Sequence, residues 1–301
     1  MRSHSLNTCS YGLLQFPEPD NPIYGPIDLN CTGSWPGLGA YDLINGVEKD
    51  KYHIEMQVLN AAARAHVQKE DPLTFNIFPY YGRKILFWPI DAFGKNQVVG
   101  LADTGCLPSR YENLCRSCLF PKDLDVANAF HELGHNMGLQ HADRLVCNAS
   151  SVQGVLCEVW HQDDPTDPMG SVSFDGAHKD GYRYVCLSAP HDDPTDPMGS
   201  VSFDGAHKDG YRYVCLSAPH AYRAGWASPQ SINMYFDLQV GNEQQYTIPS
   251  MARTNTGNML RIEVDDKTAI FVSYRVRSKD DYPGRPGFDS GLKEDLDHTV
   301  W

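Results

Sequence analysis

This sequence has few long apolar runs and little positive charge. No run reaches about 18 consecutive apolar residues in the 301-residue chain, so no transmembrane helix is expected. Lysine and arginine number 25 against 38 acidic residues, which gives a formal net charge of −13. Because carboxylates repel phosphates, we expect neither nucleic acid nor an anionic membrane surface as a partner. Apolar residues still make up 41% of the chain, so the composition is that of a folded protein.

The nine cysteines lack the paired spacing of a structural zinc site. Cys115 and Cys118 form a CxxC motif, and no second CxxC follows to complete four ligands. We therefore interpret the cysteines as disulfide-forming residues of a secreted protein. Sequons at Asn30 and Asn148 favour the same extracellular compartment. Residues 1–20 contain no apolar run typical of a signal peptide, so either the protein is cytosolic or the chain is a fragment that lacks its start.

Residues 163–191 are repeated letter for letter as residues 192–220. Solenoid repeats diverge and need three or more copies to bury a core, so this tandem identity indicates a recent duplication or an error in the gene prediction. Each copy contributes one cysteine, Cys186 or Cys215, and removing either copy leaves an even number. A selected double module is the alternative interpretation.

Hydrophobic periodicity predicts an α/β (α+β) fold, with mixed structure first and strands last. Apolar residues at i, i+4 spacing predict helices over 48–69 and 123–140, and Pro219 favours a short helix from Ser217 to Trp226. The predicted strands cover 10–16, 73–78, 85–88, 98–102 (an edge strand), 234–240, 245–249, 259–264 and 269–276. The predicted long loops cover 106–122 and 141–216.

One stretch of the second predicted helix reads HELGHNMGLQH, the pattern HExxHxxGxxH. His131 and His135 are four residues apart, so both imidazoles leave one helix face and are placed to bind one Zn²⁺. Gly138 is able to adopt a positive φ and end the helix, which would bring in His141 as a third ligand. Glu132 is then free to act as general base on water. Three protein ligands leave one position open, which indicates a catalytic zinc rather than a structural one.

Chance alone rarely produces this motif. Five specified residues at fixed offsets arise on the order of 10⁻⁴ times per chain of this composition, so we interpret the motif as a metal site. The other polar clusters carry no comparable spacing, and we interpret them as solvated loops rather than metal or calcium sites. They are His178, His191, His207 and His220, with the Asp-rich segments 163–167 and 192–196.

The zinc motif is followed by a methionine in a turn-forming sequence, and together they resemble the metzincin metalloproteases. Two copies of Asp-Pro-Met-Gly offer this methionine turn, one containing Met169 and the other Met198. The shorter connection from His141 favours Met169. Met198 stays the alternative, because only the second copy continues from SAPH into the helix-like AYRAGW.

Within the metzincins, the chain is most similar to the gametolysin family, secreted algal proteases that dissolve cell walls. Beyond the zinc motif, the segments that carry this resemblance are CSYG (9–12), GLAD (100–103), DPMG (167–170), APHAYRAGW (218–226) and FVSYRV (271–276). The family has a strand and helix ahead of CSYG, and the chain stops at Trp301 in a strand-like segment. We therefore expect truncation at both ends.

The resemblance implies a metzincin-like zinc protease domain over 1–226, with a mixed sheet and an active-site helix, followed by a β-rich region over 227–301. It implies a zinc endopeptidase acting on proline- or hydroxyproline-rich cell-wall glycoproteins. By the match, three histidines hold one Zn²⁺ and Glu132 is the general base; the histidines are His131, His135 and His141. The alternatives are an inactive zinc-containing module that binds glycoprotein, and a non-functional truncated gene product.

Overall fold

The fold is mixed α/β, as the periodicity predicts. The computed structural model describes residues 4–15, 22–43, 52–73, 83–87, 100–105, 116–119, 126–148, 156–161, 164, 167–170, 214–239, 241–277, 288–290 and 299–300. Contacts divide the described chain into two compact units, one over 22–138 and the other over 4–15 with 139–300. The division falls inside the zinc motif, whose residues form one continuous segment. The domain boundary near Trp226 stays a prediction.

The described residues form five helices and eleven strands. The helices are α1 (His4–Cys9), α2 (Tyr52–Glu70), α3 (Val126–Asn136), α4 (Ala218–Arg223) and α5 (Met234–Asp237). The strands are β1 (Thr32–Trp35), β2 (Gly39–Asp42), β3 (Lys84–Phe87), β4 (Gly100–Ala102), β5 (Arg116–Leu119), β6 (Arg144–Asn148), β7 (Leu156–Trp160), β8 (Ser228–Asn233), β9 (Thr256–Glu263), β10 (Ala269–Arg275) and β11 (Thr299–Val300).

The unit over 22–138 holds a three-stranded mixed sheet and two longer helices. The strand order is β3-β5-β4, with β3 parallel and β4 antiparallel to the central β5. Helix α3 contacts β4 and β5, while α2 packs against the hairpin β1–β2. That second contact buries the apolar face that predicted α2, in a cluster of Tyr41, Leu43, Met56, Val58 and Leu59. This arrangement places the helix of the zinc motif directly on the sheet.

The unit over 4–15 and 139–300 is built on a four-stranded sheet. Its order is β11-β10-β9-β8, with β8 parallel to β9 and the other pairs antiparallel. The amino-terminal segment is tied to this unit by the Cys9–Cys215 disulfide. The Tyr11 hydroxyl also donates to the Met251 carbonyl at 2.9 Å and accepts from the Asn258 amide at 3.1 Å. Two residues of the CSYG segment therefore anchor the chain here.

A buried ion pair lies beside that disulfide. The guanidinium of Arg275 donates to both carboxylate oxygens of Asp289, and it also donates to the Cys215 carbonyl at 2.7 Å. The second group of the Cys215 backbone is used as well, because its N–H donates to Asp289 at 2.9 Å. Both charged side chains are fully buried, and the attraction of Asp289 helps to raise the pKa of Arg275 against the opposing effect of burial. The pair fixes the backbone just before α4.

Several local predictions are confirmed. The predicted helix over 48–69 is α2 from Tyr52 onward, and the predicted strands near 85–88, 98–102, 259–264 and 269–276 correspond to β3, β4, β9 and β10. The short helix after Ser217 is α4, with proline in its first turn. Parts of the predicted elements lie outside the described residues, as do residues 74–78, Met198, the cluster 192–196 and the histidines 178, 191 and 207.

Other local predictions are wrong, and turn chemistry explains two of them. Residues 10–13 form a turn instead of a strand, because Tyr11 and Gly12 adopt φ values of 58° and 86°. Met234–Asp237 is the helix α5, because the Asn233 side chain accepts from the N–H groups of Tyr235 and Phe236 and caps it. Residues 245–249 are not a strand. The predicted loops contain strand β5 and the hairpin β6–β7, because pairing with a partner strand outweighed weak local patterns.

No helix among the described residues is long and apolar enough to cross a membrane.

Candidate metal centre

The helix that carries the first two histidines ends at Asn136, before Gly138 and four residues short of the predicted bound at residue 140. Helix α3 stops at Asn136, and Gly138 follows with φ of 81°. The Gly138 N–H donates to the His135 carbonyl at 2.8 Å, which closes the final turn. Only glycine adopts this backbone conformation without strain, so Gly138 lets the chain leave the helix and continue to His141.

The three predicted ligands lie together. The Nε2 atoms of His131 and His135 are 3.1 Å apart, and their rings stand nearly perpendicular at 87°. One ligand nitrogen from each of these rings and one from His141 all lie within 4.8 Å of one another. The first two histidines are buried and the third is half-buried. This cluster could bind a metal ion.

The donor set suits a transition metal. Two nitrogens bound to one tetrahedral zinc at 2.0–2.1 Å would lie about 3.3 Å apart, close to the separation of the first two Nε2 atoms. Imidazole is a preferred ligand of zinc, copper, iron and nickel, whereas calcium and magnesium prefer oxygen. Three neutral nitrogens are therefore compatible with zinc and leave room for a further ligand.

Backbone and amide hydrogen bonds hold the end of α3. The Gly105 N–H donates to the His135 carbonyl at 2.8 Å, and the Asn136 side chain donates to the Asp103 carbonyl at 2.9 Å. The donor Gly105 and the acceptor Asp103 both belong to the segment that directly follows β4. These two bonds fix the backbone that carries His135.

Glu132 lies buried against strand β4. Its side chain is 2% exposed, and its Oε2 atom has no hydrogen-bond partner among the described residues. Burial raises the pKa of this carboxyl well above its usual value. A Cβ atom added to Gly100 would stand 2.7 Å from Glu132 Cδ and 2.8 Å from Cγ. Position 100 must therefore lack a side chain for the carboxylate to occupy this place.

Met169 lies in a buried tight turn over residues 167–170. Its carbonyl accepts from the N–H of Ala142 at 2.9 Å, next to His141 in sequence. The Asp164 N–H donates to the Ala142 carbonyl at 3.2 Å, so both backbone groups of Ala142 are bound. The assignment of Met169 as the methionine of the turn stays a prediction.

The interpretation of Asp167 and His220 as solvated loop residues is wrong. Both are buried, and Asp167 Oδ2 accepts from His220 Nδ1 at 2.8 Å and from the Ser217 N–H at 2.7 Å. Its other oxygen accepts from the Met169 N–H at 2.8 Å. We call Asp167, Met169, Ser217 and His220 the Asp167 network. Ser217 and His220 lie 50 and 53 residues after Asp167, so no local sequence pattern pairs them with it. The only available signal was the predicted helix start at Ser217, which places His220 in α4.

The Asp167 network contains a buried ion pair. Burial alone would raise the pKa of Asp167, but the charge of His220 and the three hydrogen bonds outweigh burial and lower this pKa to about 2. Burial would lower the pKa of His220, but the charge and hydrogen bond of Asp167 raise it above its ordinary value. Each group therefore favours the charged form of the other.

No family model, curated protein or solved structure matches this chain. The fold and the three histidines therefore define a candidate metal centre in a mixed α/β protein, and the family relationship remains a proposal based on the sequence motifs.

Proposed function

We propose that this protein is a zinc-dependent endopeptidase with a metzincin-like fold, related to the gametolysin family. The observation that carries the proposal is the cluster of three histidine nitrogens within 4.8 Å, with the buried Glu132 next to the first of them in sequence. Three nitrogen ligands and one adjacent carboxylate form the minimal set for metal-assisted hydrolysis of a peptide bond.

His131, His135 and His141 would hold the ion. Bound zinc would supply Lewis-acid chemistry, lowering the pKa of water and polarising a carbonyl oxygen. Glu132 would accept a proton at Oε2 from the attacking water and deliver it to the leaving amine nitrogen. Its Oε2 atom has no competing partner among the described residues, so this oxygen is available for the transfer.

The substrate would lie extended along strand β4. In the described sheet, β4 pairs on one side with β5 and forms the outer strand. An extended peptide added to such an edge gains backbone hydrogen bonds. Gly100 lies in this strand against Glu132, so a peptide paired there would pass beside the proposed base.

The proposed substrates are extracellular proline- or hydroxyproline-rich glycoproteins, as the family resemblance implies, and the proposed compartment is extracellular. The Cys9–Cys215 disulfide supports secretion, since disulfides persist in oxidising compartments.

A binding module without hydrolytic activity is the second candidate. A cleft of about 530 Å³ in the strand-rich part is lined by residues that include Phe236, Asp237, Gln244 and Tyr246. Phe236 is 80% exposed and the neighbouring Tyr235 is 74% exposed. Exposed aromatic rings beside amide and carboxylate groups suit a polar ligand with apolar faces, such as a glycan.

Hydrolysis of a proline-rich glycoprotein by the purified chain tests the two candidates. We expect cleavage that a zinc chelator abolishes and that Glu132→Gln lowers by about 10²–10⁴-fold, with zinc still bound. The matched control is Glu158→Gln, because Glu158 is an exposed carboxylate on β7; its rate should stay at the wild-type value. Zinc binding without cleavage by the wild-type chain would favour the binding module. Full activity in Glu132→Gln would refute the role of Glu132.

A further inference from the structure

We propose that Asp167 is a positioning residue for the metal centre: through the methionine turn, it holds the backbone beside the ligand His141. The inference rests on the proposed function for its metal site, and it adds residues that the zinc motif does not contain. It is carried by an unbroken series of buried hydrogen bonds from α4 to Ala142.

The first step joins Asp167 to helix α4. One carboxylate oxygen accepts from both the Ser217 N–H and the His220 ring, at 2.7 and 2.8 Å. Ser217 is the residue that precedes α4, and His220 lies within it. The carboxylate is 0% exposed, so water cannot replace either donor. Asp167 is thereby fixed relative to α4, and α4 contacts strand β10 of the four-stranded sheet.

The second step joins Asp167 to the methionine turn. Its other carboxylate oxygen accepts from the Met169 N–H at 2.8 Å, and its carbonyl accepts from the Gly170 N–H at 2.9 Å. A Cβ atom at Gly170 would lie 2.8 Å from the backbone nitrogen of Asp164. The turn is therefore packed against the backbone of Asp164, and two of its N–H groups are bound by Asp167.

The third step joins the turn to the ligand segment. The Met169 carbonyl accepts from the Ala142 N–H, and the Asp164 N–H donates to the Ala142 carbonyl. Ala142 is buried and directly follows His141. Ala142 is thus bound on one side to the turn and on the other to Asp164, which restricts its backbone and the backbone of His141 before it. Ligand orientation by such indirect contacts commonly changes metal affinity by 10–100-fold.

The charges around the network are consistent with this role. His220 faces the carboxylates of Asp167 and Asp164, with Arg223 on the same helix as the opposing positive charge. Removing either member of a buried pair leaves an uncompensated charge, so the turn should shift when Asp167 or His220 is replaced. A control away from the network exists, because the exposed Asp265 carboxylate accepts from the N–H groups of Lys267 and Thr268 in its own turn.

The test is zinc affinity of the full chain, measured by competition with a chromophoric chelator, and the visible spectrum after Co²⁺ substitution. The variants are Asp167→Asn and His220→Ala, with His220→Gln as the conservative replacement and Asp265→Asn as the matched control. We expect about tenfold weaker zinc binding and an altered Co²⁺ spectrum in the first two, and partial recovery in His220→Gln. Asp265→Asn should bind zinc within about twofold of wild type, because its carboxylate binds its own turn and not the Asp167 network.

Two results would overturn the inference and leave the proposed function intact: wild-type zinc affinity in both Asp167→Asn and His220→Ala, or an equal loss in Asp265→Asn. Failure of the wild-type chain to bind zinc would overturn the proposed function and this inference together. His220→Ala removes only one of the three hydrogen bonds to the Asp167 carboxylate. This variant therefore still tests the inference if Asp167→Asn does not fold.

Discussion

Helix α3 and the methionine turn hold their parts of the candidate metal centre in different ways. In α3, His131 and His135 are brought together by helical periodicity alone, and Gly138 ends the helix within three residues. The methionine turn has no such local rule. It is positioned by a carboxylate whose partners lie 50 and 53 residues further along the chain.

The comparison shows which parts of the candidate metal centre are determined by local sequence. A ligand pair fixed by one helical turn depends on backbone geometry that any helix supplies. A turn fixed by a buried carboxylate depends on the whole fold being formed first. We therefore expect substitutions near α3 to lower the hydrolysis rate directly. Substitutions in the Asp167 network should instead lower zinc affinity by shifting the backbone beside His141.

Among substitutions near α3, the largest loss of hydrolysis rate is expected for Gly100→Ala. The added Cβ would lie 2.7 Å from Glu132 Cδ, so the carboxylate must move. A displacement of about 1 Å costs on the order of 10²-fold in rate, whereas the histidines keep their places. Steady-state hydrolysis and bound zinc are measured on the same sample. Wild-type activity in Gly100→Ala would show that the position of Glu132 is not required.

A smaller effect is expected from removing residues 171–199. This deletion leaves one intact copy of the repeat and retains Asp167, Met169, Ser217 and His220. The connection between Gly170 and Val214 shortens from 43 residues (171–213) to 14 (200–213). Lower loop-closure entropy should then stabilise the fold by about 1 kcal/mol, with zinc binding unchanged.

Denaturant unfolding and zinc titration of the deletion variant provide the check. Loss of folding or zinc binding on deletion would mean that the second copy has a structural role of its own. The Asp167 network takes Asp167 from the first copy and His220 from the second. Loss of folding or zinc binding would therefore also mean that the network needs the sequence between these two residues.

The sequence predicted the parts of the molecule that local rules govern. The periodic face of α2, the end of α3 at Gly138 and strands β9 and β10 are confirmed, because each follows from spacing within one element. The hairpin β6–β7 and strand β5 were missed, because their stability comes from a partner strand. His220 was misread because its carboxylate partner is distant in sequence.

The segments that carried the family resemblance have separate structural roles. Cys9 and Tyr11 anchor the amino-terminal segment, and Gly100 makes room for Glu132. His220 belongs to the Asp167 network, and Arg275 forms the buried pair with Asp289. Each role is a contact that a substitution would break. Motifs outside the zinc ligands thus correspond to specific contacts within the fold.

The central claim is that the three clustered histidines hold one zinc ion. Zinc content of the wild-type chain and of His141→Ala, measured by mass spectrometry after dialysis against trace zinc, tests it most directly. We predict about one zinc per chain in the wild type and a large loss in the variant, because two imidazoles alone bind zinc weakly. Equal zinc content in the two proteins, or none in the wild type, would contradict the account.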